Sequence, residues 1–287
     1  SADLLLATDP DCDRVGIAVP NREGEYVLLS GNETGLLLLN YICSMRQAAG
    51  TMPEHPVFVK TIVTMDMAAR IAADYGVKTV DVLTGFKFIG DQIARLEAEG
   101  RENDYILGFE ESYGYLSGSY VRDKDAVDGA FLICEMAAYY RSKGMGLLEV
   151  LEGLYEKYGF CLNTLHSYEF EGMEGFEKMK GIMNRLHTMA SRIAEGEAVC
   201  IGGRKTEAVE DYLSGTISRA DKTTEPIAGL PSSDVLKFRL AGNASVVVRP
   251  SGTEPKLKLY ISVSAEDKAK AQAEEEKITA QMEEWFL

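Results

Sequence analysis

Between residues 56 and 145, apolar runs of strand length alternate with amphipathic stretches of helical spacing, and this constrains the fold more than any other feature. The run from Val57 to Val63 reads as a strand. Asp66 is placed to cap a helix carrying Met67, Ile71 and Tyr75, which Gly76 closes. Val77 to Leu83 is the next strand, and a helix from about Phe88 to Glu99 stops at Gly100. Tyr105 to Phe109 forms a third strand. A helix from about Asp125 to Lys143 is expected to bury Val127, Phe131, Cys134 and Ala138. A β-α-β-α-β order predicts a parallel sheet with right-handed crossovers. Polar residues gather where its strands end: Lys60, then Thr84-Gly85-Phe86-Lys87, then Glu110-Glu111-Ser112-Tyr113-Gly114. Open α/β sheets bind ligands at those carboxyl ends.

The flanks read differently. Residues 3–50 predict a strand, an acidic loop, a strand from Val15 to Val19, a turn, another strand, and a helix from about Glu33 to Ala49 that stops at Gly50. Pro53 and Pro56 mark a boundary. Residues 146–170 read as a helix and a crossing segment with Gly159 as a breaker. A helix from about Gly175 to Ala194 then precedes short strands. Leu257, Leu259, Ile261 and Val263 alternate with polar residues as a half-buried strand. Ser264 with Asp267 predicts a capping box for a last helix, with Ile278, Met282, Trp285 and Phe286 on its apolar side. The expected organisation is α/β: part of one domain over 1–52, a parallel-sheet α/β/α domain over 53–162, and a small α+β domain over 163–287.

Composition narrows the partners. The 287 residues carry a net charge of -15, which argues against nucleic acid and anionic membrane. Five scattered cysteines without a Cys-x-x-Cys pair fit neither a disulfide framework nor a zinc ribbon, and point to a reducing cytoplasm. The longest apolar run, around Gly35 to Cys43, is too short to span a bilayer.

Asp9-Pro10-Asp11-Cys12-Asp13-Arg14 follows the apolar run Leu4 to Ala7, which looks like a buried strand. Three carboxylates at alternate positions repel unless a hard divalent cation takes oxygens from them, and Arg14 adds a fork suited to phosphate. An EF-hand does not fit, because Arg14 and Pro20 stand where glycine and a bidentate glutamate are needed. A phosphatase loop with Asp9 as nucleophile stays open, as does a solvated acidic turn. Thr84 to Gly90 joins a strand to a helix, where backbone amides and Lys87 could hold an anion, although Phe86 and Phe88 also suit a core. Glu110-Glu111-Ser112 offers acceptors and a donor for neighbouring hydroxyls, or else an acidic turn. Arg122-Asp123-Lys124-Asp125 is either a solvated cap or a source of cations for a phosphate. Arg249-Pro250-Ser251-Gly252-Thr253 lies between two strands, with a guanidinium, two hydroxyls and a glycine that lets successive amides turn inward. Lys256 and Lys258 raise the potential there; an ordinary hairpin loop is the other reading. His55, His166 and His187 show no ligand spacing.

In this order, these segments resemble the α-D-phosphohexomutase superfamily, most closely its phosphoglucomutase branch, over essentially the whole chain. Asp9, Asp11 and Asp13 resemble the family's magnesium loop in its second domain. Thr84 to Gly90 and Gly108 to Gly114 resemble loops of the third domain, with Glu110 and Ser112 at the positions that grip sugar hydroxyls. Arg249, Ser251, Gly252 and Thr253 resemble the phosphate-binding loop of the fourth. Lys60 and Lys87 match active-site lysines, and Arg122 and Lys124 fall among the substrate-binding positions. The resemblance implies an isomerisation in which a phosphoserine, with Mg²⁺ on its phosphate, phosphorylates glucose 1-phosphate. The glucose 1,6-bisphosphate intermediate turns around and the serine takes back the other phosphate. It implies that Arg14 neutralises the transferring phosphate, that Lys87 assists proton transfer, and that Arg249, Ser251 and Thr253 hold the distal phosphate.

One departure stands out: no Ser-His occurs in the context of the family's catalytic loop, since Ser167 follows His166 in the wrong order. The chain is therefore expected to be a C-terminal piece whose partner is the missing N-terminal part of the same protein, Ser1-Ala2 being an expression scar. Alone it is expected to bind metal and sugar phosphate weakly and not to turn over. Phe86 stands where many phosphomannomutases carry histidine, favouring the glucomutase branch. Phosphomannomutase, phosphopentomutase, glucose-bisphosphate synthase, a metal-dependent phosphatase and a non-catalytic sugar-phosphate binding module remain alternatives.

Overall fold

The computed structural model describes residues 2–251 and 254–286. Contacts divide the chain into two compact units, residues 1–158 and 159–287. No helix among the described residues is long and apolar enough to cross a membrane.

The first unit begins with a three-stranded antiparallel sheet, β1 (Leu5–Thr8), β2 (Val15–Pro20) and β3 (Tyr26–Leu29), in that order. The strand before the acidic loop is not buried: Leu5 and Leu6 are exposed, because β1 is an edge strand paired only with β2. Helix α1 (Gly31–Ala49) follows, its Ser30 and Glu33 forming a reciprocal capping box and Gly50 closing it in the left-handed conformation. Leu36, Leu37, Leu38 and Leu39 are all fully buried, so α1 is a core helix and not an amphipathic surface one. It packs against neighbouring elements of this unit, so residues 1–52 form part of the same compact body.

Next come β4 (Val57–Thr61), α2 (Met67–Asp74), β5 (Lys78–Val82), α3 (Phe86–Ala98), β6 (Tyr105–Glu110), β7 (Gly114–Leu116), α4 (Ala126–Ser142) and α5 (Leu147–Tyr158). The sheet order is β5-β4-β6-β7. β4 pairs in parallel with β5 and β6, as the alternating pattern predicts, while β7 adds an antiparallel edge that the sequence did not announce. Two local expectations are corrected. Asp66 precedes α2 but makes no side-chain cap, because its carboxylate is drawn to Lys60. On α4 the buried residues are Ala126, Gly129, Ile133 and Met136. Val127 and Phe131 are each 68% exposed, and Cys134 is exposed. The small residues decide which face goes inward: a Cβ on Gly129 would sit 3.0 Å from Val15, so glycine allows the close approach.

The second unit is one large antiparallel sheet with two helices. It runs β8 (Phe160–Glu169), α6 (Gly172–Ala194), β9 (Cys200–Ile201), β10 (Arg204–Asp211), β11 (Thr216–Arg219), β12 (Thr224–Pro226), β13 (Leu236–Leu240), β14 (Ala244–Pro250), β15 (Lys256–Ala265) and α7 (Lys268–Phe286). The sheet order is β12-β11-β10-β13-β14-β15-β8, with β9 beside β10. Leu257, Leu259, Ile261 and Val263 are fully buried and pack with Ile182, Leu186, Ile278 and Met282 from the helices. Asp267, rather than Ser264, caps α7, accepting from the Lys270 amide at 2.8 Å.

Candidate functional site

The acidic loop between β1 and β2 is folded tightly by its own side chain. Oδ1 of Asp9 accepts the amides of Asp13 (3.1 Å) and Arg14 (3.0 Å), and Cys12 takes a positive φ of 57°. The Arg14 amide holds the Asp9 carboxyl below its ordinary pKa, against some desolvation. One carboxylate oxygen from each of Asp9, Asp11 and Asp13 lies within 4.8 Å of the others. Oδ1 of Asp13 is buried and makes no hydrogen bond among the described residues, though Nε of Arg14 lies 3.6 Å away. Clustered hard oxygens with one orphaned acceptor fit a divalent cation of the Mg²⁺ type.

Neighbouring loops are stitched to this one. The Val15 amide donates to the Tyr113 carbonyl (3.1 Å), and the Ala126 amide donates to the Cys12 carbonyl (3.2 Å). Lys124 reaches across to Asp13, with Nζ 2.7 Å from Oδ2, and lies 3.3 Å from Asp123. Burial opposes the charge on Lys124, but Asp13 and Asp123 outweigh it and hold the ammonium above its ordinary pKa.

Glu110, at the end of β6, is only 7% exposed, and its Oε1 accepts the Gly85 amide at 2.8 Å. Burial and the neighbouring Glu111 push its pKa up, while the Gly85 amide, Lys124 and Arg14 pull it down. Glu110 is thus tied to the 84–90 loop and lies within the field of the cations beside the acidic loop. Ser112 is half-buried in the turn before β7. That turn sits so close to α1 that a Cβ on Gly31 would meet the Glu111 carbonyl oxygen at 2.2 Å. Gly31 therefore supports the site, and nothing in its sequence context marks it.

Three further expected site residues are each engaged by partners of their own. Lys60 is completely buried in β4. Its ammonium contacts Asp81 (2.8 Å), Asp66 (3.1 Å) and the carbonyls of Thr61 and Thr64. Burial opposes its charge, yet the two aspartates raise its pKa. A strand position chosen for its nearness to the ligand-binding end turns inward here, and the ammonium has no surface left for substrate. Arg122 is bound to Glu97 on α3 and to the Ser119 and Val121 carbonyls. Lys87 is exposed in the first turn of α3, its Nζ 4.9 Å from the centre of the Phe88 ring, while Phe86 is buried.

In the second unit Arg249 lies at the end of β14, directly opposite Lys258 on β15, with Ser167 of β8 next in the row. Nε of Arg249 is buried and has no hydrogen-bond partner among the described residues. Like charges opposite one another across a strand pair are unfavourable unless an anion bridges them. The Ser251 amide donates to the Lys256 carbonyl at 2.7 Å, setting the start of the loop. Gly252 and Thr253 lie outside the described residues.

Comparison with known proteins identifies the family. The family model for phosphoglucomutase/phosphomannomutase alpha/beta/alpha domain III matches residues 30–158, and that for the C-terminal domain of the same family matches residues 202–279. The chain belongs to the phosphohexomutase superfamily and stands with its phosphoglucomutase branch. Phosphoglucomutase of Staphylococcus aureus (strain MRSA252) is 39% identical over 266 residues, covering 93% of this chain and 46% of that protein. The chain thus spans about half the length of the curated relatives it matches. Among solved structures, parafusin (a phosphoglucomutase) from Paramecium in its open form shares the fold with a TM-score of 0.68 at 18% identity, over 99% of this chain and 45% of that one. The N-acetylphosphoglucosamine mutase of Aspergillus fumigatus, in complex with GlcNAc-6P and magnesium, gives 0.54 at 14% identity, over 98% and 48%.

Proposed function

We propose that this chain forms the metal-holding, sugar-reading and phosphate-holding parts of a phosphoglucomutase that interconverts glucose 1-phosphate and glucose 6-phosphate. The observation that carries the reading is the acidic loop: three aspartate oxygens within 4.8 Å, one of them buried without a hydrogen bond. Asp9, Asp11 and Asp13 would hold Mg²⁺, which stabilises charge on a transferring phosphoryl group. Arg14, beside the same carboxylates, neutralises that group. Glu110 and Ser112 read sugar hydroxyls, the first from a carboxylate oriented by the Gly85 amide. Arg249, Ser251, Gly252 and Thr253, with Lys258 opposite Arg249, hold the non-reacting phosphate. Lys87 is the residue assigned to proton transfer. The phosphoserine and the glucose 1,6-bisphosphate turnaround belong to the whole protein, of which this chain is proposed to be the C-terminal part, acting in the cytoplasm.

Phosphorus NMR tests this directly. With Mg²⁺, glucose 1-phosphate and catalytic glucose 1,6-bisphosphate, the chain alone is expected to shift the substrate resonance without converting it. Arg249→Ala should abolish that shift, and the whole protein should produce glucose 6-phosphate. Release of inorganic phosphate would instead identify a phosphatase acting through Asp9, and no binding by the chain would overturn the reading.

A further inference from the structure

The contact between Lys124 and Asp13 gives an expected metal ligand a second occupant. Nζ of Lys124 sits 2.7 Å from Oδ2 of Asp13, in direct ion-pair contact. The two side chains are 13% and 27% exposed, so solvent screens the pair only in part. Its stem is guided there: a Cβ on Gly114 would meet Cδ of Lys124 at 2.7 Å, so only glycine at the start of β7 leaves room for it. The other oxygen of Asp13 is the buried acceptor without a hydrogen bond. One carboxylate is therefore divided, with an ammonium on one oxygen and an unmet acceptor on the other.

A small divalent cation and an ammonium cannot both sit close to the same carboxylate without strong repulsion. Mg²⁺ also draws its ligands to about 2.0–2.1 Å, which concentrates positive charge at Asp13. Lys124 has a second carboxylate to move to, since Asp123 Oδ1 is 3.3 Å from its Nζ. The residues around it, 117–125, are largely irregular, and this segment runs directly into α4 through the capping aspartate Asp125.

We propose that Lys124 is a built-in competitor for the metal: its ammonium holds Asp13 and yields it when a divalent cation binds, so that metal loading repositions the 117–125 segment. The inference rests on the proposed metal site at Asp9, Asp11 and Asp13. The released ammonium then becomes available to an anionic group such as a phosphomonoester. Metal loading and substrate capture are thereby linked through one side chain, without any change in the strands.

The test is Mg²⁺ titration by calorimetry of the unaltered chain, Lys124→Met and Asp11→Asn, with hydrogen exchange of residues 117–125 followed with and without Mg²⁺. Methionine keeps the stem over Gly114 and removes the charge. Competition predicts that Lys124→Met binds Mg²⁺ about tenfold more tightly, and that Mg²⁺ speeds exchange in 117–125 of the unaltered chain. Equal or weaker binding by Lys124→Met would overturn the inference and leave the metal site standing. If the unaltered chain binds no Mg²⁺, or binds it as Asp11→Asn does, the metal site itself fails and the inference with it. Should Lys124→Met not fold, the exchange measurement decides alone: unchanged or slower exchange on adding Mg²⁺ overturns the inference.

Discussion

Two lysines in the first unit each face two aspartates, and they do opposite jobs. Lys60 is sealed inside the parallel sheet between Asp66 and Asp81, and its charge is satisfied again by two backbone carbonyls. Lys124 lies at the rim, between Asp13 and Asp123, over a glycine and next to a carboxylate oxygen that still lacks a hydrogen bond. The charges are alike; burial separates them, Lys60 being 0% and Lys124 13% exposed. A fully buried ammonium held by two carboxylates and two carbonyls is fixed architecture, because moving it would leave its own charge unpaired in the interior. A rim ammonium beside an unmet acceptor can be exchanged for another cation at small cost.

The sharpest way to break this comparison is to delete both ammonium groups. Lys60→Met strands Asp66 and Asp81 around an empty charge position, and a loss of about 3–5 kcal/mol of stability is expected. Lys124→Met should cost about 1 kcal/mol or less. Urea denaturation of the two variants measures both, and comparable losses would show that the rim pair is as structural as the buried one.

A smaller effect is expected in the second unit, where an ion cluster titrates. Nδ1 of His187 on α6 lies 3.2 Å from Asp211, and Nε2 lies 2.8 Å from Asp234. Hydrogen bonds to those carboxylates, Asp211 first, raise the histidine to about 9 from 6.5. The folded value is above the unfolded one, so the stabilisation is fully present below about pH 6.5 and is lost as pH rises through about 9. It amounts to about 3 kcal/mol. Thermal melts between pH 6 and pH 10, on the order of one per pH unit, should show the drop in the unaltered chain and not in His187→Ala.

The smallest effect sharpens the reading of α4. Phe131→Ser should change stability by less than about 0.5 kcal/mol, whereas Ile133→Ala should cost about 2–5 kcal/mol. Equal losses in equilibrium unfolding would place the buried face of α4 where periodicity alone put it.

Much of the fold was legible because its signals are local. Asp125, Gly50, Gly76 and Gly100 stop or start helices through their own backbone and side-chain chemistry, and the spacing of Leu257, Leu259, Ile261 and Val263 states which face of a strand turns inward. Face selection on α4 was not local. Periodicity pointed to the stripe of Val127, Phe131, Cys134 and Ala138, but the inward face is the one carrying Gly129, where a Cβ would sit 3.0 Å from Val15. β1 misled in the same way: a Leu-rich run has the composition of a buried strand, yet burial depends on what packs against it.

By itself the sequence determined the alternating strand-helix order, the carboxylate spacing in the acidic loop, and the residue types a metal, a sugar and a phosphate would need. Those are properties of neighbours along the chain, set by backbone geometry and side-chain chemistry within a few residues. Only the tertiary structure decided that Lys60 points into the core, that Arg122 is taken by Glu97, and that Lys124 pairs with Asp13. A lysine's role depends on which carboxylates surround it and how much water reaches them. Both are set by residues distant in sequence: Asp81 for Lys60 and, more than a hundred positions away, Asp13 for Lys124.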